Sequence, residues 1–313
     1  MMQYSVILPL MNEEAVFGEL YARVKKAMDS LGASYEIIFV DDGSTDATGE
    51  LILKYAKEYP NILGVRLSRN FGQDNAILAG LGFSEGQNII LLDGDLQDPP
   101  ELIPNLIHEK DKGYDVVYGI KTCRKEGILI KGLTSIFYNF MFFLSGIRMP
   151  RNVGTFSIFT RQVGDAILQF PESNKFFSGI RYIVGFKQTG VKYERAGRTH
   201  GDSKPLIKLV RMAMNAIFSY TIFPMRLVVF FNSIVAVLTG FVCLFYFYQA
   251  IVGSESISNL SFIFQPIVIL ILSIVLMNLV MITEVVGRID FQVKKRPDFI
   301  VKSIIRNGVV ENL

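Results

Sequence analysis

Three carboxylates fall within six positions, Asp93, Asp95 and Asp98, in the stretch NIILLDGDLQDPP. A second acidic pair, Asp41 and Asp42, ends the apolar run EIIFV in the same way. Carboxylates at the end of a buried strand need a counter-charge, because burying an unpaired charge is expensive. Oxygen-only donors suit Mg²⁺ or Mn²⁺, ions commonly held between one or two carboxylates and the phosphates of a substrate. The chemistry to expect is a divalent ion arriving with a phosphorylated ligand. Other chemistries find little footing. Gly80 and Gly82 give only GLGFSE, which does not directly follow a strand and makes a poor dinucleotide turn. There is no phosphate-loop GxxxxGK pattern and no Ser/His/Asp constellation. Of the two histidines, His108 reads as a helix-surface residue and His200 lies in the loop THGDSK. Cys123 and Cys243 offer neither a disulfide framework nor a metal spacing.

The elements around these residues alternate in the manner of an α/β domain. YSVILPL, EIIFVDD, LGVRLS, NIILLDGD and YDVVYGIK read as strands. Helices are expected over 14–31, 44–59, 74–84 and 100–112, the second opened by a Ser/Thr/Asp cap cluster. Short, nearly continuous apolar strands separated by helices imply a mostly parallel sheet covered on both faces. In such sheets ligands bind at the carboxyl ends of strands, where Asp41, Asp42, Asp93 and Asp95 fall.

Half of the 313 residues are hydrophobic and the mean hydropathy is +0.35, an excess concentrated toward the C-terminus. Leu227 to Val252 and Phe262 to Thr283 contain no charged residue and no histidine. Each exceeds the ~20 residues a helix needs to cross a bilayer, so a transmembrane hairpin is expected at about 227–252 and 262–284. Its loop, GSESISNLS, has no Lys or Arg, whereas Arg226 precedes the first run and Arg288, Lys294, Lys295 and Arg296 follow the second. The positive-inside rule then places both termini in the cytoplasm, in a multi-pass protein of the inner (plasma) membrane. The opening residues, MMQYSVILPLMNEE, lack the basic region of a secretory signal. From Lys204 onward there are 10 Lys/Arg against 5 Asp/Glu, while the preceding part is slightly acidic. Basic charge beside the apolar runs suits anionic lipid headgroups and not nucleic acid. Segments 131–148 and 206–225 read as helices lying in the interface. The expected organisation is a domain at 1–203, a juxtamembrane helix at 204–225, two spans within 226–286 and a basic cytosolic tail at 287–313.

The motifs in order resemble the membrane-anchored polyprenyl-phosphate glycosyltransferases of family 2, with a GT-A fold. That group includes dolichyl-phosphate mannose synthase and the bactoprenol glucosyltransferases. The resemblance covers nearly the whole chain, through LPLMNEE, FVDDGSTD, LSRNFGQDNAILAG, LLDGDLQDPPELIP, GYDVVYGIK, FFSGIRYIVGFKQTGV, GDSK, the two apolar runs and GRIDFQVKKRP. It implies a Rossmann-like GT-A domain that moves a hexose, with UDP-glucose the favoured donor, onto undecaprenyl phosphate with inversion. GDP-mannose and UDP-N-acetylglucosamine are alternative donors. Pro9, Met11, Glu13, Val40 and Asp42 would line the pocket for base and ribose, and Asp93 would face ribose or sugar. Asp95 and Gln97 would hold Mg²⁺ or Mn²⁺ on the diphosphate, and Asp98 with two prolines would shape that loop, with Asp98 near the sugar as a further catalytic candidate. Arg69 and Asn70 would help order the site, and Arg198, Ser203 and Lys204 would close over the diphosphate. Arg124, Lys125, Lys131, Arg151 and Ser157 are candidates for the acceptor phosphate. A flippase and a further transferase would take the glycolipid onward, and association between copies is left open.

Two departures stand out. Bacterial members usually carry Gly-Asp-Phe-Arg where this chain has Gly154, Thr155, Phe156 and Ser157, which bears on acceptor contacts. Met11 stands where a tyrosine is usual, which bears on the donor. A processive polysaccharide synthase is excluded, since its Gln-x-x-Arg-Trp signature needs a tryptophan and the chain has none. The rival reading from another class is a catalytically silent membrane adaptor that keeps the nucleotide fold.

Overall fold

A computed structural model describes residues 2–122, 152–170, 177–194, 223–252, 260–293 and 297–312. By its contacts the chain forms two units. One comprises Met1–Lys204 with Pro297–Leu313, the other Pro205–Arg296.

The first unit is built on a nine-stranded sheet, flanked by helices. Strands β1 (Tyr4–Leu10), β2 (Tyr35–Asp41), β3 (Ile62–Leu67) and β4 (Asn88–Leu91) alternate with α1 (Phe17–Asp29), α2 (Thr48–Glu58) and α3 (Gln73–Phe83). After β4 come a 3₁₀ turn at Pro100–Leu102, α4 (Ile103–Lys110), β5 (Val116–Lys121), β6 (Val153–Thr160), α5 (Arg161–Leu168), α6 (Phe177–Ile183) and β7 (Gln188–Tyr193). Strands β8 (Val301–Arg306) and β9 (Val309–Asn312) follow late in the chain. The order is β7-β5-β6-β4-β1-β2-β3-β8-β9.

The parallel core expected from the apolar runs is the run β4-β1-β2-β3. Both its faces are covered, which is why β1 is buried along its whole length. Alternation along β1 sends Val6, Leu8 and Leu10 to one core, with Phe17, Leu20 and Val24 of α1. Ile7 faces the other, with Ile38, Val40 and the α3 residues Ala76, Ile77 and Leu81. Gly80 of α3 rests directly on that second face: a Cβ there would lie 2.5 Å from Ile7 Cγ2 and 2.9 Å from Val40 Cγ2. GLGFSE is thus a helix–sheet contact and no nucleotide turn.

Three features differ from the sequence expectation. Strand β6 inserts antiparallel between β4 and β5, making the flank mixed. Strand β4 ends at Leu91, because its pairing with β1 stops at Ile7, so the acidic stretch lies in the loop beyond it. The expected tail supplies two sheet strands, with β8 antiparallel to β3 from Leu63↔Arg306 to Leu67↔Val301. Its charges were conspicuous, whereas Ile304 and Ile305 alternate too briefly to announce a strand.

In the second unit, α7 (Phe223–Val252) and α8 (Leu260–Val293) expose Leu, Ile, Val and Phe side chains along their length. Among the described residues one stretch, Leu270–Gly287, is long and apolar enough to cross a membrane; the apolar stretch of α7, Val228–Val242, is shorter. Length and composition among these residues thus support one span of the expected two. Asn232 Nδ2 of α7 donates to Asn278 Oδ1 of α8 at 3.2 Å, a polar tie between two apolar helices. The expected interfacial segment at 131–148 lies outside the described residues, as does most of the one expected at 206–225, whose last residues, from Phe223, begin α7.

Candidate active site

The ends of β1 and β2 are laced together by short polar side chains. Ser44 Oγ accepts from Asn12 N at 3.1 Å, and Asn12 Oδ1 accepts from Thr45 N at 2.8 Å. Thr48 Oγ1 accepts from Glu13 N at 3.0 Å. Asp41 Oδ1 receives Ser44 N at 2.7 Å, and its Oδ2 pairs with Arg66 Nε at 3.1 Å. Asp42 reaches the other way: its carboxylate accepts Phe71 N at 2.7 Å and Gly72 N at 2.9 Å. Burial pushes the Asp42 carboxyl up, and these two N–H groups oppose that. Asp42 is therefore a clamp on the loop after β3, with both oxygens engaged. Gly43 makes the approach possible: its φ is +75°, and a Cβ would lie 2.5 Å from the Arg69 carbonyl carbon.

Above β4 the acidic loop folds back on the end of β1, where Gly94 packs against Leu10 and the Pro9 carbonyl. Asp93 Oδ1 accepts hydrogen bonds from Gln73 Nε2 of α3 at 2.7 Å and Thr155 Oγ1 of β6 at 2.5 Å. Asp95 Oδ1 accepts from Gln97 N at 3.1 Å, which folds the turn between them. Asp98 is fully buried and receives the Tyr193 hydroxyl from the end of β7. Burial first, then the charge of Asp98 and less so that of Asp95, push the Asp93 carboxyl up to about 6. The Thr155 hydrogen bond and Lys121 act against this. Lys121, at the end of β5, lies over Gly154, where a Cβ would come within 2.6 Å of its Nζ.

Met11 and Glu13 are half-buried on the loop after β1, and Pro9 is buried at its end. Arg69 is exposed, with its guanidinium 4.3 Å from the centre of the Phe71 ring. Two expectations need correction. Val40 is fully buried in the core against α3, so its side chain lines no open pocket. Ser157 is fully buried as well: its hydroxyl donates to Thr155 O at 2.8 Å and accepts from Arg181 Nη1 at 2.8 Å. A side chain so enclosed cannot meet an acceptor phosphate. Arg124, Lys125, Lys131, Arg151, Arg198, Ser203 and Lys204 lie outside the described residues. Gln73, Lys121, Arg181 and Tyr193 are not among the residues the sequence marks for the site, and Thr155 stands out there only as a departure. Gln73 sat in view within LSRNFGQDN; the others are joined to the site only by sheet topology.

Among the described residues no group of three or more His, Cys, Asp or Glu forms a ready metal cage. What stands there instead is Asp95 with Gln97 beside a crowded Asp93, all oxygen donors. That set fits a hard divalent ion whose remaining ligands come from a bound diphosphate. The arrangement can receive a cation with its polyanion, at the carboxyl ends of parallel strands.

Comparison with known proteins agrees. Residues 5–168 match the glycosyl transferase family 2 model. The chain is 32% identical over 305 residues to a prophage bactoprenol glucosyl transferase homolog of Escherichia coli K12, covering 97% of this chain and 99% of that one. It is 30% identical over 306 residues to an undecaprenyl-phosphate 4-deoxy-4-formamido-L-arabinose transferase of Edwardsiella ictaluri, covering 96% and 94%. In fold it is similar to glucosyl-3-phosphoglycerate synthase of Mycobacterium tuberculosis, crystallised with Mn²⁺, uridine diphosphate and phosphoglyceric acid. The TM-score is 0.51 over 69% of this chain and 76% of that one, at 19% identity. The fold is thus that of a GT-A glycosyltransferase, and the chain belongs to glycosyl transferase family 2.

Proposed function

We propose that this enzyme transfers a hexose, glucose first among the candidates, from a uridine nucleotide sugar to undecaprenyl phosphate at the cytoplasmic membrane face. The observation that carries the reading is geometric: Asp93, Asp95 and Asp98 share the loop beyond β4, with the Asp93 carboxylate held by Gln73 and Thr155 and the Asp95–Gln97 turn beside it, an oxygen-donor set suited to a metal-bound diphosphate. The names of the Escherichia coli and Edwardsiella relatives support a polyprenyl acceptor, and the exposed apolar surface of α8 supports a membrane setting. On this reading α7 and α8 form the hairpin anchor, tied at Asn232 and Asn278.

A phosphate oxygen of the acceptor attacks the anomeric carbon from the face opposite the nucleotide. The bond from that carbon to the diphosphate oxygen breaks, the nucleoside diphosphate leaves and the configuration inverts. A phosphate monoester has its second pKa near 6, so the acceptor is largely dianionic at neutral pH and needs no general base. Asp95 and Gln97 would hold Mg²⁺ or Mn²⁺, which when bound neutralises charge on the leaving diphosphate as a Lewis acid. Asp93 orients the donor while Thr155 and Gln73 fix its carboxylate. The Asp42 clamp sets the Arg69–Asn70 segment beside the nucleotide. Lys121, with Arg124, Lys125, Lys131 and Arg151, supplies cations for the acceptor phosphate. Arg198, Ser203 and Lys204 cover the diphosphate.

The test uses membranes containing the protein, incubated with Mg²⁺ or Mn²⁺, undecaprenyl phosphate and a panel of labelled nucleotide sugars. One productive donor is expected, and it names the sugar; no glycolipid from any donor would end the reading. Asp95→Ala is expected to lose at least about 100-fold in turnover and to weaken metal-dependent nucleotide binding. Wild-type turnover in that variant would move the metal elsewhere.

A further inference from the structure

Arg181 is among the largest fully buried side chains, yet among the described residues no carboxylate pairs with it. Its guanidinium is stacked near Tyr118 and Phe177, at 5.4 and 5.8 Å from the ring centres. Burial pushes it down to about 10. Its donors go to one short piece of β6: Nη2 to Gly154 O at 3.1 Å, and Nη1 to Thr155 O at 3.2 Å and Ser157 Oγ at 2.8 Å. That piece is where the sheet stops holding β6. Pairing with β4 ends at Leu91↔Ser157, and pairing with β5 becomes irregular between Tyr118 and Ile120. The Gly154 and Thr155 carbonyls left by such a break are partly buried and need donors from elsewhere. The same piece carries Thr155, whose hydroxyl holds Asp93.

We propose that Arg181 is a positioning residue for sugar transfer: from α6 it replaces the missing ladder bonds of β6 and so aims Thr155 at Asp93. A neutral side chain of similar size would fill the space but not satisfy three oxygens in a fixed fork. The inference rests on the transferase reading above and adds a residue that touches neither substrate nor metal.

The experiment measures turnover by the full-length protein in membranes for Arg181→Met, Arg181→Lys, Thr155→Val and Arg181→Met/Thr155→Val. Each rate is counted per nucleotide site titrated with uridine diphosphate, so that misfolded protein drops out. Each of Arg181→Met and Thr155→Val is expected to lower kcat about tenfold or more, since small misplacements at a reacting centre are costly. The double variant is expected to be no slower than the slower single, because both break one chain of contacts. Arg181→Lys is expected to recover part of the rate. Multiplying losses in the double variant would make Arg181 merely structural and overturn the proposal. So would wild-type kcat in Thr155→Val, a result that decides the matter even if Arg181→Met fails to fold. An inactive wild type with every donor overturns the transferase reading and this inference with it; an active wild type with unaffected variants overturns this inference alone.

Discussion

At the scale of single residues, Asp93 trades stability for a site. Its carboxyl sits at about 6 in the folded chain against an ordinary value of 3.8, so the folded state favours the protonated form. The stability this contributes is complete below about pH 4 and is lost as pH rises through 6. Asp93→Asn keeps an oxygen for Thr155 and Gln73 but removes the charge. In metal-stripped protein at pH 7.5 it is expected to be more stable than wild type by about 1–2 kcal/mol, a difference that vanishes near pH 4. Thermal melts at the two pH values check this. Added Mn²⁺ should raise the melting temperature of wild type more than that of the variant. Asp93 and Asp95 stand out in the sequence because acid after an apolar run is costly wherever it is buried. The supports of Asp93 were not. Thr155 is a small polar residue with no local oddity, and Arg181 is one arginine in an aromatic stretch. Only the pairing of β6 with β4 brings either near the acidic loop.

At the scale of elements, the approach of α3 to the sheet sets the place of Gln73. Gly80→Ala gains helix propensity of about 1 kcal/mol. It also forces a methyl group into Ile7 and Val40, both fully buried and β-branched. Overpacking of that kind costs about 1–3 kcal/mol and outweighs the gain when neighbours cannot move. A net loss of up to about 2 kcal/mol is expected, measured by urea unfolding. If α3 shifts to relieve the clash, the Gln73–Asp93 bond lengthens and donor KM rises. The parallel core was readable from its apolar runs, since both faces are covered and each run is nearly uninterrupted. Strand β6 escaped because GTFSIFT mixes small, polar and aromatic residues, and its partners lie on strands distant in sequence. The first three helices were expected within a few residues of their observed bounds. The Ser44–Asp46 cluster, expected as a helix cap, mostly serves the loops, where Ser44 and Thr45 tie β1 to β2.

At the scale of the molecule, the sheet is completed by residues after α8. Ser68 N donates to Ile300 O at 2.9 Å just ahead of the Arg69 loop, and Ile305 is buried against β3. Removing residues 299–313 is expected to lower the melting temperature of the α/β unit by several degrees and to promote aggregation through the bared edge of β3. Unchanged melting would mean the hairpin only decorates the edge. The chain leaves the α/β unit near Lys204 and re-enters it at Pro297, with both apolar helices in between. During synthesis, β3 therefore waits with one edge open until α7 and α8 have left the ribosome. If those helices partition into lipid as they emerge, the catalytic unit finishes folding only after its anchor is set. A nascent chain stalled before Val301 would be an enzyme already moored but with its sheet unclosed. If α7 and α8 are the proposed anchor, the order of manufacture favours membrane delivery ahead of a finished transferase.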